Sequence, residues 1–203
     1  MRRYIGKSVG ILLVLASLLG PVVIGLHYQS ATRNFRVVRE GVLYRSGQMT
    51  PSGLRRMVDD YGIRTVVSLR DSYTPGGLAP DRDEEKFCKR LGLNYHRITP
   101  RRWEGRNGEP APVEEGVQKF IAIMADARNY PVLVHCFGGV HRAGAYSAIY
   151  RMEFEGWSNE QAIEELKASG YTELQEHRDI LGYMERYQPG WRRQAVNSRG
   201  LQP

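Results

Sequence analysis

The sequence predicts an α/β domain in which a central, mostly parallel sheet is flanked by helices. Short apolar or β-branched runs at residues 66–70, 93–98 and 131–134 have the length and composition of buried strands. Between them lie stretches with apolar residues at helical spacing, such as residues 113–124. Strands that alternate with helices favour a parallel sheet with helices packed on its faces.

Local signals in the sequence place the helices. Thr50 followed by Pro51 is typical of an N-cap and a first-turn proline, so a helix is predicted to begin there. Residues 81–91 begin acidic and end basic, which the helix dipole favours. Ser158 and Gln161 have the spacing of a capping box. Further helices are predicted at residues 113–124 and 180–187.

A cysteine and an arginine stand six positions apart between the strand at residues 131–134 and the helix that follows. Cys136 comes just after the strand, and Arg142 stands where the helix begins. Gly138 and Gly139 allow positive φ angles, so backbone N–H groups can converge on one point. The N-terminal end of the helix directs partial positive charge to the same point. This arrangement is suited to holding a phosphate dianion.

These residue types also have the chemistry to attack phosphorus. N–H donors, the helix dipole and a nearby cation favour the thiolate form of Cys136, and the thiolate is the nucleophile. The Arg142 guanidinium can hold two phosphate oxygens in a bidentate manner. His135 is expected to steady the loop by hydrogen bonding. Phosphate binding is assigned to the loop and the arginine, namely Phe137, Gly138, Gly139, Val140, His141 and Arg142.

The sequence Cys136-x5-Arg142, with His135 before it and Gly144 after it, resembles the signature of the protein tyrosine phosphatase superfamily. The resemblance implies a phosphatase-like fold. It also implies that phosphomonoesters are hydrolysed through a cysteinyl-phosphate intermediate, without a cofactor.

Within that superfamily, the small domain and the loop with Gly139 and His141 resemble atypical dual-specificity phosphatases of bacteria, plants and fungi. Residues 41–48 and 66–70 resemble the first strands of that group, and the resemblance covers residues 36–187. It implies that the substrate is a protein phosphorylated on tyrosine, serine or threonine, or a small metabolite similar to an inositol phosphate.

The residue after the arginine departs from the superfamily's pattern. Ser or Thr is usual there, whereas this chain has Ala143. The usual hydroxyl helps the sulfur to leave when the phosphoenzyme is hydrolysed. We therefore expect Ala143→Thr to raise turnover.

The general acid is a second departure. The resembled families usually place an Asp about thirty residues before the cysteine, but residues 99–112 contain no Asp. Glu104 lies at the more family-like distance and follows Trp103, so it is the predicted acid. Glu109 and then Asp71 are the next candidates, and solvated loop charge is the alternative interpretation of both glutamates.

Composition limits the function classes. A net charge of +7 and a pI near 9.5 suit anionic substrates or an acidic membrane surface. The basic residues form no stripe interleaved with aromatics, so nucleic-acid binding is not expected. His and Cys residues lack metal-ligand spacing, so no metal site is expected. Cys88 is interpreted as a buried apolar residue, the alternative being a partner for oxidised Cys136.

The first 26 residues predict a membrane anchor. Basic residues precede an uncharged, apolar run at residues 8–26, which is long enough to cross a bilayer core. An uncleaved signal anchor is therefore predicted, with a cleaved signal peptide or a buried soluble helix as the alternatives. The basic N-terminus favours a single-pass protein of the cell membrane with an exported catalytic domain, whereas Arg33, Arg36 and Arg39 favour the cytoplasmic orientation.

The predicted division of the chain follows from these assignments. Residues 1–26 are the anchor, residues 27–35 a linker, residues 36–187 the phosphatase domain and residues 188–203 a basic tail. Two other functions compatible with the loop are a rhodanese-like sulfurtransferase and a non-catalytic phosphate-binding module.

Overall fold

A computed structural model of the chain describes residues 17–20, 31–72, 74 and 76–192. Within these ranges one sheet has the strand order β1-β2-β5-β3-β4. Strand β1 is antiparallel to β2, and all other neighbouring strands are parallel, which confirms the predicted sheet. The strands are β1 (Arg36–Arg39), β2 (Leu43–Gly47), β3 (Thr65–Ser68), β4 (Asn94–Arg97) and β5 (Val132–Cys136).

Helices cover both faces of the sheet. Successive residues of a strand point to opposite faces, so each strand packs its side chains against both layers of helices. Val66 and Leu133 pack with helices α1 and α2, while Val67 and Val134 pack with α3 to α6. The helices are α1 (Pro51–Tyr61), α2 (Arg82–Arg90), α3 (Glu114–Met124), α4 (His141–Phe154), α5 (Asn159–Ala168) and α6 (Arg178–Arg186). The predicted α/β architecture with flanking helices is confirmed.

The helix starts follow the local sequence signals. The Thr50 side chain accepts a hydrogen bond from the Gly53 N–H at 3.1 Å, with Pro51 in the first turn of α1. The predicted capping box of α5 is formed by Ser158 and Gln161. Each of these caps satisfies backbone donors that a helix end leaves without intrahelical partners.

Helix α4 is the central helix of the domain. Every residue from Ala143 to Tyr150 is buried, so the helix lacks the polar face of a surface helix. It packs against strands β2 and β5 and against α3, α5 and α6. Its first turn is therefore fixed at the carboxyl edge of the sheet, beside the end of β5.

The prediction of an N-terminal transmembrane helix, and of a single-pass membrane location, is contradicted. Among the described residues, no helix has the length and apolarity needed to cross a bilayer. Residues 17–20 are helical but span only about 6 Å, against a bilayer core of about 30 Å. The rest of the predicted anchor, residues 1–16 and 21–26, lies outside the described residues. Membrane partnership and export of the domain lose their support with it.

Residues on both sides of the predicted domain pack against it. We call residues 31–34 the N-terminal segment. Its Ala31 and Arg33 carbonyls accept hydrogen bonds from the Thr50 and Gly47 N–H groups, at 3.2 and 2.7 Å. At the other end, the Trp191 indole donates to the Met152 carbonyl at 2.9 Å. The remainder of the predicted basic tail, residues 193–203, lies outside the described residues.

Candidate active site

The site lies where the carboxyl ends of three parallel strands meet. Cys136 is the last residue of β5 and is 4% exposed. In the sheet register Gly47 of β2 pairs with Cys136, and Ser68 of β3 pairs with His135. Ligands in open α/β sheets bind beyond this edge, so the fold places the cysteine where a substrate can reach it.

The loop after Cys136 bends back toward its sulfur. The Gly139 N–H donates to Cys136 Sγ at 3.2 Å. Gly139 has a φ of +79°, and a Cβ there would lie 2.2 Å from the Gly47 nitrogen. Only glycine fits this position, because the space and the φ angle both exclude a side chain. The Gln48 N–H donates to the Phe137 carbonyl at 3.1 Å and fixes the other side of the loop.

Arg142 reaches across the loop from the first turn of α4. Its Nη1 donates to the Leu69 carbonyl at 2.6 Å, just beyond the end of β3. Arg142 and Cys136 line one pocket of about 330 Å³. The pocket is lined by Arg33, Asn34, Cys136, Phe137, Gly138, Val140, His141 and Arg142. The structure therefore brings the sequence-predicted loop residues together, with Gly139 behind the sulfur.

The three candidate acids lie in different surroundings. Glu104 is exposed on its loop, while Glu109 lines a separate cavity with Tyr183. Asp71 accepts a hydrogen bond from Thr99 Oγ1 at 2.6 Å, at the start of the loop that contains both glutamates. None of the described residues that line the Cys136 pocket has a carboxyl group.

His135 is buried behind the loop and contacts a carboxyl from helix α2. Its Nδ1 lies 3.3 Å from the Cys136 carbonyl oxygen. Its Nε2 lies 2.7 Å from Glu84 Oε1, although the ring N–H is poorly aligned for a hydrogen bond. The side chains of His135 and Glu84 are 2% and 8% exposed. His135 thus lies behind the loop as expected, its stabilising role stays a prediction, and its Glu84 contact was not predicted.

Glu84 belongs to a buried polar network that extends to Arg97. The Tyr95 hydroxyl donates to Glu84 Oε1 at 3.2 Å and also to Asp81. Arg97 Nε donates to Asp81 Oδ1 at 3.0 Å. Burial raises the pKa of Asp81, but hydrogen bonds from Ser68, Tyr95 and Arg97 outweigh this effect and lower it overall. The network fixes α2 against the sheet directly behind the loop.

A second cation, Arg45, is buried beneath the start of α4. Its Nη2 donates to the Ser169 carbonyl at 2.8 Å, and its Nη1 would lie 2.9 Å from a Cβ at Gly144. The pKa of Arg45 is lowered to about 10, mainly by burial and also by the positive charge of Arg36, whereas Glu165 and the Cys136 sulfur act in the opposite direction. Gly144 thus allows a positive charge to approach the loop from inside the domain.

His141 places an imidazole on the far side of the pocket. Its ring stacks on Tyr171, with centroids 4.4 Å apart and an interplanar angle of 22°. His177 lies next to it, with ring centroids 5.1 Å apart. Burial lowers the pKa of His141. The charges of His177 and Arg142 lower it further, whereas the charge of Glu173 raises it. These contacts favour the neutral imidazole at neutral pH.

Sequence reasoning missed the contribution of the N-terminal segment. Arg33 and Asn34 line the pocket, although both lie in the range assigned to a linker. Asn34 Nδ2 donates to the Gly138 carbonyl at 2.8 Å. In the sequence, Arg33 belongs to a basic cluster that follows the predicted membrane span, and no local signal indicates a contact with a loop about one hundred residues away.

Comparison with known proteins identifies the family. Residues 22–180 match the family model described as "PTP-NADK: DSP-PTPase phosphatase fused to NAD+ Kinase". Inositol diphosphatase DSP3 of Arabidopsis thaliana is 28% identical over 133 residues, which cover 65% of this chain and 60% of that protein. Dual specificity protein phosphatase TpbA of Pseudomonas aeruginosa is 36% identical over 62 residues, or 30% of this chain and 28% of TpbA. The chain therefore spans less than two thirds of either relative.

Solved structures share the fold. The core catalytic domain of the PP-IP phosphatase SIW14 from S. cerevisiae aligns with a TM-score of 0.60 and 19% identity, covering 85% of this chain and 96% of that domain. The crystal structure of P. aeruginosa TpbA gives a TM-score of 0.61 at 22% identity, covering 81% and 91%. Together with the matched family model, which spans most of the described domain, these findings confirm the resemblance inferred from residues 135–144: the chain belongs to the DSP-PTPase phosphatase family, within the protein tyrosine phosphatase superfamily.

Proposed function

We propose that the chain is a cysteine-dependent phosphatase in which Cys136 is the nucleophile and Arg142 the phosphate-binding cation. The observation that supports this most directly is the position of Cys136 Sγ. It lies at the end of β5, receives the Gly139 N–H at 3.2 Å and shares one pocket with Arg142. Membership of the family supports the same chemistry.

The reaction takes place in two displacements. In the first, the Cys136 thiolate attacks phosphorus, the S–P bond forms and the bond from phosphorus to the leaving oxygen breaks. The leaving oxygen keeps the electron pair and takes up a proton. Arg142 and the loop N–H groups hold the three equatorial oxygens, whose charge they stabilise in the transition state. In the second displacement, water attacks phosphorus, phosphate leaves and the thiolate is restored.

We propose that Glu104 supplies the proton to the leaving oxygen. It is exposed on the loop that follows β4, so the loop has to fold over the pocket for the carboxyl to reach the leaving oxygen. Glu109 and Asp71 are the alternatives. The described residues of the pocket lining carry no carboxyl group, which suits leaving groups of low pKa that depart without a proton donor.

The proposed substrates follow the names of the relatives. DSP3 is named an inositol diphosphatase and TpbA a dual specificity protein phosphatase. We therefore propose phosphomonoesters of proteins or of small phosphorylated metabolites such as inositol phosphates as the substrate range.

Release of phosphate from p-nitrophenyl phosphate tests the nucleophile. Cys136→Ser is expected to abolish turnover, whereas Cys88→Ala, a change at the chain's other cysteine, is expected to retain it. Activity that survives in Cys136→Ser would exclude the proposed mechanism. Binding of phosphate without turnover would instead identify a phosphate-binding module. Formation of thiocyanate from thiosulfate and cyanide, without phosphate release, would identify a sulfurtransferase.

The acid is tested by varying the leaving group. For Glu104→Gln we expect little change with p-nitrophenyl phosphate and a loss of about 10²-fold in kcat with phenyl phosphate, whose leaving group needs a proton. Glu109→Gln is the matched control on the same loop. Equal losses for both substrates, or a larger selective loss in Glu109→Gln or Asp71→Asn, would remove Glu104 from this role.

A further inference from the structure

An exposed aromatic ring in the pocket lining lies close to two guanidinium groups. Phe137, the residue after the nucleophile, is 53% exposed. The Arg33 guanidinium carbon lies 3.9 Å from the centroid of its ring. The guanidinium carbon of Arg70, in the segment after β3, lies 5.2 Å from the same centroid. Two positive charges from distant parts of the chain are thus gathered around Phe137, the residue that follows Cys136.

Arg33 is held in this position by its backbone and by the stem of its side chain. Arg33 and Asn34 have φ angles of +30° and +54°, a region that residues other than glycine seldom adopt. The Arg33 carbonyl accepts a hydrogen bond from the Gly47 N–H. The stem of the Arg33 side chain packs so closely on Gly47 that a Cβ at this glycine would lie 2.8 Å from Arg33 Cγ. The Asn34 side chain bonds to Gly138 in the loop itself. Unusual backbone angles that several contacts maintain are a feature of binding sites.

The charges of Arg33 and Arg70 are not neutralised by side chains of the described residues. Neither forms an ion pair there, whereas Arg39, Arg97 and Arg151 each contact a carboxylate. Among the described residues, the pocket lining that includes Arg33 contains no acidic side chain. A cation that is positioned but not paired at the mouth of a phosphate pocket is a ready partner for a second anion.

We propose that Arg33 and Arg70 form a second anion subsite, which binds a phosphate group adjacent to the one attacked by Cys136. The preferred substrate class is then a small molecule that has at least two phosphate groups close together. This inference rests on the proposed function and specifies which phosphate compounds the site selects.

Two features favour a small polyphosphate over a phosphotyrosine protein. The Arg33 guanidinium covers a face of the Phe137 ring at 3.9 Å, so that face is not free to stack on the ring of a phosphotyrosine. The pocket of about 330 Å³ is also at the small end of the range for ligand sites, and Arg33 belongs to its lining rather than to the surrounding surface.

The test compares the binding of tripolyphosphate and orthophosphate by calorimetry on the full chain. The wild-type protein is expected to bind tripolyphosphate at least about tenfold more tightly. Arg33→Gln is expected to lower that ratio about tenfold, Arg70→Gln to lower it less, and Arg33→Lys to retain most of it. Arg90→Gln is the matched control, because Arg90 also lies over a phenylalanine ring, 5.6 Å from the centroid of Phe87 on α2.

If Arg33→Gln keeps the wild-type ratio of tripolyphosphate to orthophosphate affinity, the proposed subsite is wrong. It is also wrong if Arg90→Gln lowers this ratio as much as Arg33→Gln does, because the effect would then come from the general electrostatic field of the protein. Arg33→Gln could instead leave the tripolyphosphate ratio unchanged and weaken the binding of an acidic peptide that carries a non-hydrolysable phosphotyrosine analogue. That result would overturn the subsite and assign Arg33 to protein substrates. Thermal unfolding of each variant excludes a folding defect. Because binding is measured without turnover, failure of the subsite is distinct from failure of the proposed function, which the Cys136→Ser assay decides.

Discussion

The substitution Gly139→Ala is expected to damage both the stability of the domain and its catalysis. An alanine at a φ of +79° costs about 1–2 kcal/mol. Its Cβ would also lie 2.2 Å from the Gly47 nitrogen and 2.4 Å from the Ser46 carbonyl carbon, which are backbone atoms of β2 and cannot rotate away. Overpacking of this kind costs about 1–3 kcal/mol more. The sum, about 2–5 kcal/mol, is a large part of the stability of an ordinary domain.

Relief of this contact moves the loop by about 1 Å, so the N–H that reaches Cys136 Sγ is displaced as well. A displacement of that size lowers kcat/KM by about a hundredfold. Urea unfolding and p-nitrophenyl phosphate hydrolysis measure the two effects. Gly138→Ala is the matched control, because a Cβ there has no heavy atom within 4 Å and the φ is not positive. Wild-type stability in Gly139→Ala, or equal losses in the two variants, would refute the reasoning.

Three further predictions concern the surroundings of the loop. Glu84→Gln, which removes the charge facing the buried His135, is expected to cost about 1–3 kcal/mol of stability in urea unfolding, and an unchanged midpoint would contradict it. Ala143→Thr, and the smaller change Ala143→Ser, are expected to raise steady-state turnover after a phosphoenzyme burst; an unchanged or lower rate would exclude the missing hydroxyl as a limit on hydrolysis of the phosphoenzyme. Burial raises the pKa of Cys88 to about 12, with Glu84 adding to it, so Cys88 stays a thiol at pH 8. Iodoacetamide is then expected to label Cys136 alone unless vanadate protects it, and modification of both cysteines would contradict this.

The features that the sequence predicted well are those with local causes. The Thr50 cap and the Ser158–Gln161 box depend on residues within one helical turn, and both are formed as expected. The Cys136 to Arg142 loop is similar, because strand, glycines and helix follow one another along the chain. The membrane helix was predicted from hydropathy and segment length alone, and among the described residues no helix has the length and apolarity to cross a bilayer.

The contacts that could not be predicted join distant residues. Glu84 reaches His135 because α2 packs on the sheet face to which Leu133 and His135 both point, and no periodicity in either segment specifies that pair. Arg33 illustrates the same difficulty, since its role depends on a three-dimensional approach to Phe137. The general acid remained a choice among three carboxyls because its position depends on how the loop after β4 closes.

The hydrogen bonds of residues 31–34 set a practical boundary for protein production. A truncated fragment that starts after Asn34 would leave the Gly47 and Thr50 amides, and the Gly138 carbonyl, without their protein partners. Each such loss costs about 1–3 kcal/mol where water cannot replace the partner. Recombinant versions intended for crystallisation or enzymology should therefore start upstream of Ala31, and a shorter version that proves inactive says nothing about the chemistry of the intact protein.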